Sequence, residues 1–151
     1  MKLSAGLLPY RWRGKWEVLI AHPGGPYWAR KDAGAWSLIK GVVDPDEDVR
    51  AAARREFTEE TGWPAPGGEW LDLGEIRLRS GKVVRGWAVA GDYDPATLHP
   101  GQFLASLGGR QVSFPEIDRV EWFDLVAARE KLNPAYGGHL DRLEAQLPVD
   151  G

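Results

Sequence analysis

One stretch, GVVDPDEDVRAAARREFTEETGW from Gly41 to Trp63, constrains this chain more than any other. Its glutamates Glu56, Glu59 and Glu60 are spaced i, i+3 and i+4, so on a helix their carboxylates share one face and one turn. The flanking residues support the helix. Asp44, Pro45 and Glu47 supply an N-cap, a proline at the first helical position and a capping-box acid, which predicts a start near Pro45. Val49, Ala52, Ala53 and Phe57 form the buried stripe, and Gly62 stands where a left-handed cap closes a helix ending about Thr61. Like charges at this spacing each cost a helix roughly 0.2–0.5 kcal/mol, so three together call for a compensating cation. Two answers are open at this level. Arg50, Arg54 and Arg55 could neutralise an ordinary solvated face, or a divalent ion could sit among the carboxylates, whose hard oxygens suit Mg²⁺ or Mn²⁺.

The chain has 151 residues, 43% hydrophobic and 27% charged, which suits one globular domain over residues 1–151. A formal charge of -3 argues against broad nucleic-acid binding, which depends on basic patches that neutralise phosphates. With no cysteines, disulfides, thiolate metal sites and cysteine nucleophiles are excluded. No apolar run reaches membrane-spanning length and Met1-Lys2 is not followed by a signal-peptide core, so the expected setting is the cytoplasm, with no membrane contact. The eight tryptophans are expected mostly in the core or at its rim.

Leu3 to Tyr10 and Trp16 to Ala21 read as strands of an opening hairpin turning at Arg13 to Lys15. The loop HPGGPYWARKDAG, from His22 to Gly34, combines Gly and Pro with adjacent aromatics and three basic residues counting His22. It reads as a binding loop, with an ordinary surface loop as the alternative. Ala35 to Ile39 reads as a short strand running into Lys40 and Gly41, which places a strand, a loop and the glutamate helix in succession. Glu69 to Leu78 and Val83 to Ala90 form a second expected hairpin across Ser80-Gly81-Lys82. Val120 to Phe123 reads as a further strand, and Leu125 to Leu132 and Gly138 to Leu147 as terminal helices. Periodicity alone therefore indicates mixed α and β structure.

The segment resembles the signature of the Nudix hydrolase family, G-x5-E-x7-R-E-U-x-E-E-x-G-U with U a bulky apolar residue. Gly41, Glu47, Arg55, Glu56, Phe57, Glu59, Glu60, Gly62 and Trp63 match it, with aromatics at both U positions. The resemblance extends more loosely through SGKVVRGWAVAGD and FPEIDRVEWFDL to nearly the whole chain. It implies an α+β fold, an αβα sandwich with a mixed β-sheet, one motif helix and C-terminal helices. It also implies hydrolysis of a nucleoside diphosphate linked to another group, by water attack on phosphorus. Magnesium is the expected cofactor, with Mn²⁺ as a substitute, because divalent ions neutralise charge on non-bridging oxygens and lower the pKa of the attacking water. The expected partner is a small nucleotide or polyphosphate, and a homodimer is compatible with the family.

On this resemblance Glu56 and Glu60 are the preferred metal ligands and the Gly41 carbonyl a third, since a missing side chain there lets a phosphate approach. Glu59 is a further ligand or the general base. Glu116, six residues before Trp122, is a second candidate for either role, with a solvated loop acid as the alternative. Arg55 is expected to orient the glutamates through its fixed fork of donors, and Glu47 to support the loop.

The stretch AWSLIKG resembles the W-S/T-x-P-K-G entry of diadenosine polyphosphate hydrolases and their diphosphoinositol relatives, with Lys40 placed to meet a phosphate. Ile39 stands where proline is usual, and Arg77 to Lys82 lacks those hydrolases' tyrosine. The proline of ADP-ribose hydrolases is absent as well. Tyr27 or Trp28 could stack a nucleobase, and Arg30, Lys31, Lys40 or Lys82 could meet phosphates. A non-catalytic Nudix domain that binds or senses a nucleotide is the alternative function.

Overall fold

The computed structural model describes residues 2–151. The elements run β1 (Leu3–Trp12), β2 (Trp16–Pro23), β3 (Ile39–Val42), α1 (Val49–Thr61), β4 (Trp70–Arg77), β5 (Val83–Ala90), β6 (Gln102–Leu107), β7 (Arg110–Pro115), β8 (Ile117–Asp124), α2 (Leu125–Lys131) and α3 (Gly137–Glu144). Strands pair in the order β4-β5-β1-β2-β8, with β3 also on β1, and the β1–β5 pair is parallel while its neighbours are antiparallel.

Alternation along the central strands sends neighbouring side chains to opposite faces. Leu7 and Leu19 join Ala52, Ala53 and Phe57 of α1 in one core, while Leu8, Val18 and Ile20 join Ala128, Tyr136, Leu140 and Leu143 in the other. The product is the αβα sandwich, with α1 on one face and α2 and α3 on the other. Trp36, Trp63, Trp70 and Trp87 are buried, and Trp12 is exposed. No helix of the described residues is long and apolar enough to cross a membrane.

Strand β1 changes partner along its length, and this creates the opening in which the site lies. It pairs with β2 from Tyr10 to Trp12, and with β3 from Ser4 to Leu7. Beyond Val18, β2 continues on β8, from Leu19 opposite Trp122 to Pro23 opposite Ile117.

Two expectations are corrected, and one pair of strands is new. The helix does not begin near Pro45: Asp44 to Glu47 form a turn closed by Glu47 N–H donating to Asp44 O at 3.1 Å. With Pro45 second and Asp46 third at φ 65, this has the character of a type II turn, and the left-handed Asp46 interrupts any helix from Pro45. The N-cap is Asp48, whose side chain accepts from Ala51 N–H. Strand β3 occupies Ile39–Val42 rather than Ala35 to Ile39; Trp36 and Ser37 make only isolated bridges, to Leu132 and Ala21. The β6–β7 ribbon was not anticipated from the sequence at all. Its Gly108-Gly109 turn, with φ 60 and 79, is the type I′ hairpin signal that could have revealed it.

Candidate active site

Four segments distant in sequence meet at the opening beside β3. They enclose a polar cleft of about 330 Å³ whose walls include Trp28, Ser37, Lys40, Glu60, Lys82 and Glu116. Strand β3 supplies Lys40, the last turn of α1 supplies Glu60, and the β4–β5 turn supplies Lys82. Glu116 is placed by the backbone: its N–H donates to Gly101 O at 2.8 Å and its carbonyl accepts from Gly24 N–H at 3.0 Å. Gly101 N–H in turn donates to Glu59 O at 3.0 Å, which ties the Glu116 segment to the end of α1.

The glutamates of α1 divide between two environments. Arg55 faces the outer side, donating Nε and Nη2 to the two carboxylate oxygens of Glu47 at 2.8 and 2.9 Å. Its Nη1 reaches Glu56 Oε1 at 2.8 Å and Glu59 Oε2 at 3.0 Å, and Nη2 also reaches Val42 O at 3.1 Å. The guanidinium thus links the loop after β3 to two of the three clustered acids, and it holds Glu47 down to about pKa 2, aided by the Asp44 N–H. Glu59 is exposed and turned toward Arg55.

Glu60 has no such cation. It is 9% exposed, and its Oε2 is buried without a hydrogen-bond partner. Burial, reinforced by the charges of Glu116 and Glu56 and opposed by Lys40, pushes its carboxyl up to about 8. Burial also raises Glu56, against the pull of Arg55. The ammonium of Lys40, desolvated and near Lys82, is pushed below the usual lysine range, while Glu60, Glu56 and Glu116 pull the other way. Buried carboxylates with raised pKa and an unpaired oxygen are poor anions alone and good ligands for a hard cation.

The chemistry of these donors, hard carboxylate oxygens, suits a divalent ion. A Cβ at Gly41 would lie 1.9 Å from Glu56 Oε2, so only glycine lets the β3 backbone stand against that carboxylate. As they stand, no three His, Cys, Asp or Glu side chains among the described residues are gathered closely enough to hold a metal ion.

A family model described as the NUDIX domain matches residues 2–143. The chain belongs to the Nudix family. No curated protein matches it in sequence. Among solved structures, an Ap4A hydrolase of C. elegans in a binary complex is similar at 24% identity and TM-score 0.66, covering 94% of this chain and 96% of that one. The NUDIX domain of Shewanella oneidensis NrtR, complexed with ADP ribose, is similar at 17% identity and TM-score 0.66, covering 97% and 88%. A MutT protein from Methanosarcina mazei Go1 is similar at 23% identity and TM-score 0.58, covering 96% and 94%. At these identities the likeness is one of fold, and the mixed sheet between helices is the Nudix fold of those structures.

Of the candidates in this Nudix domain, the structure brings Trp28, Lys40, Glu60, Lys82 and Glu116 to one cleft. Gly41, Arg55, Glu56 and Glu59 stand behind or beside it. Tyr27 does not enter: it is 68% exposed, packs edge-on against Trp28 and has Lys31 Nζ 3.6 Å above its ring. Arg30 is exposed and lines no wall of the cleft. The binding loop is fastened instead by His22, whose Nδ1 lies 2.9 Å from Asp118 Oδ1 and whose Nε2 lies 2.6 Å from Lys31 O. Sequence reasoning missed Ser37, Asn133 and Tyr136, which also line the opening. Nothing in the spacing of Asn133 and Tyr136 connects them to residues 41–63.

Proposed function

We propose that this chain is a divalent-metal-dependent pyrophosphohydrolase acting on a nucleoside polyphosphate, a nucleoside triphosphate or a dinucleoside polyphosphate, through one Nudix unit spanning residues 1–151. The observation that carries this reading is Glu60: a buried carboxylate with an unpaired oxygen, in a polar cleft opposite Glu116 and beside two lysines. Such a site suits a phosphate chain with its counter-ion better than an apolar ligand.

Glu56, Glu60, the Gly41 carbonyl and Glu116 would hold Mg²⁺ or Mn²⁺, with Glu59 able to join them. When bound, the ion supplies neutralisation of phosphate charge and a more acidic water. The residues supply the rest. Lys40 and Lys82 bind non-bridging oxygens and orient the chain for in-line attack. Glu116, at the mouth of the cleft, or Glu59 accepts the proton of the attacking water. Arg55 touches no reacting atom in this scheme; it positions Glu56 and Glu59.

The test is turnover of a panel of nucleoside triphosphates, dinucleoside polyphosphates, ADP-ribose, NADH and diphosphoinositol phosphates with Mg²⁺ or Mn²⁺, with Glu60→Gln as control. Metal-dependent cleavage lost in Glu60→Gln supports the reading. Saturable nucleotide binding without turnover on the whole panel would replace it with the sensor function.

A further inference from the structure

Beside the polar cleft lies a second chamber to which the phosphate chemistry gives no use. This chamber holds about 210 Å³ and is walled by Trp28, Ala35, Trp36, Leu78, Asn133 and Tyr136. Trp28, Ser37 and Lys40 border both chambers, so a molecule with phosphates beside Lys40 and Glu60 would carry its other end here. The walls are largely aromatic and apolar, in contrast to the carboxylates and lysines of the first chamber. Pockets of this kind orient a ligand with a few well-placed polar groups.

Two wall residues have hydrogen-bonding capacity that the protein leaves unspent. Tyr136 is 1% exposed, and its hydroxyl is buried without a partner. Native interiors rarely leave a buried polar group unsatisfied, and such an exception calls for an explanation. Asn133 is oriented by its own helix turn: Oδ1 accepts from Ala135 N–H at 3.0 Å. That bond identifies the amide oxygen and leaves Nδ2, a donor only, as the remaining end of the side chain. A phenol can donate or accept, whereas the Asn133 Nδ2 can only donate. A flat ring resting against Trp28 is therefore best met here through an acceptor on its edge.

We propose that this chamber holds the nucleobase of the substrate, and that Asn133, with Tyr136, selects a base bearing a ring carbonyl over its amino counterpart. The ligand class is a 6-oxopurine or 4-oxopyrimidine nucleotide, and the assignment rests on the nucleotide reading above. An amino group in the same place would set donor against Nδ2, while a carbonyl accepts from both residues. Tyr136 adds affinity, and Asn133 sets the preference.

Calorimetric titration of the metal-free protein with IMP against AMP, and with UMP against CMP, tests the proposal without requiring catalysis. The wild type is expected to bind the oxo member about tenfold more tightly. Asn133→Asp keeps the oxygen that caps Ala135 and replaces the free donor by an acceptor, so the preference should reverse. Tyr136→Phe should weaken IMP binding about tenfold with Tm unchanged or higher, because it removes a hydroxyl that has no partner in the fold. Equal affinity for oxo and amino members would overturn the proposal, as would a Tm loss in Tyr136→Phe, which would show the hydroxyl to be structural. Polyphosphate turnover with no monophosphate binding would overturn the base pocket and leave the hydrolase reading standing. Base-selective binding without any turnover would do the opposite.

Discussion

Arg55 grips Glu47 with two parallel hydrogen bonds, Nε to Oε2 at 2.8 Å and Nη2 to Oε1 at 2.9 Å. Because Nη1 also holds Glu56 and Glu59, the loop after β3 and the acidic turn of α1 share one fixed point. A lysine offers one ammonium and cannot reproduce this fork. Arg55→Lys should leave the circular dichroism spectrum unchanged and lower kcat about 10–100-fold at saturating metal, in the range found when groups supporting metal ligands are lost. Steady-state kinetics over a Mg²⁺ series checks this. A variant with wild-type kcat would reduce Arg55 to a surface ion pair.

Glu60 is a liability to the metal-free fold, since its buried oxygen lacks a partner and burial disfavours its charged form. Glu60→Gln should therefore keep or raise Tm without metal. The same change should abolish the Tm increase that millimolar Mg²⁺ gives the wild type, since an ion that binds only the folded state stabilises by mass action. Differential scanning calorimetry with and without Mg²⁺ reads both effects. An equal metal response in the two proteins would remove Glu60 from the ion's ligands.

Gly41 admits no side chain, because a Cβ would stand 1.9 Å from Glu56 Oε2. Gly41→Ala should displace the Glu56 carboxylate and lower kcat/KM at least tenfold, while costing little stability if the side chain of Glu56 yields. Kinetics beside a urea melt separates the two effects.

Phe57 anchors α1 from the inner side, fully buried with ring contacts to Trp63 and Tyr93 at 6.0 and 5.4 Å. Phe57→Ala should cost about 3–5 kcal/mol in urea unfolding, the usual cost of emptying a buried aromatic site.

His139 gives the fold an acid limit away from the cleft. Burial, together with the Arg142 charge and against the pull of the Gly74 and Val84 carbonyls, lowers its imidazole to about 4. The unfolded chain takes up this proton near pH 6.5 and the native state only near 4, so the contribution is intact above 6.5 and is lost as pH falls to 4. The loss amounts to roughly 3 kcal/mol at most. Urea unfolding across pH 4–7 should show this slope, and His139→Gln should flatten it.

The sequence made the acidic turn legible because a helix of period 3.6 fixes the relation of Glu56, Glu59 and Glu60, and Gly62 ends the helix at φ 78 as its position suggests. Strands such as β2 and β5 were legible through alternation and their turns. The start of α1 was not, because Asp-Pro-Asp-Glu satisfies both a helix N-terminus and a turn, and the left-handed Asp46 decides between them. The cleft was partly legible. Lys40 and Glu60 lie within or beside the motif, while Asn133 and Tyr136 reach it only through the packing of the α2–α3 connection against the Trp36 segment and β4. Tyr27 and Arg30 looked like ligands by type, yet the His22 anchor leaves Tyr27 with Lys31 on the loop's outer surface.

The most direct test of the account is hydrolysis of the best panel substrate in H₂¹⁸O, with the products weighed by mass spectrometry. Mg²⁺-dependent cleavage should put one ¹⁸O into a phosphate-bearing product and disappear in Glu60→Gln. Cleavage that leaves the label off phosphorus, or that proceeds unchanged in Glu60→Gln, would contradict it.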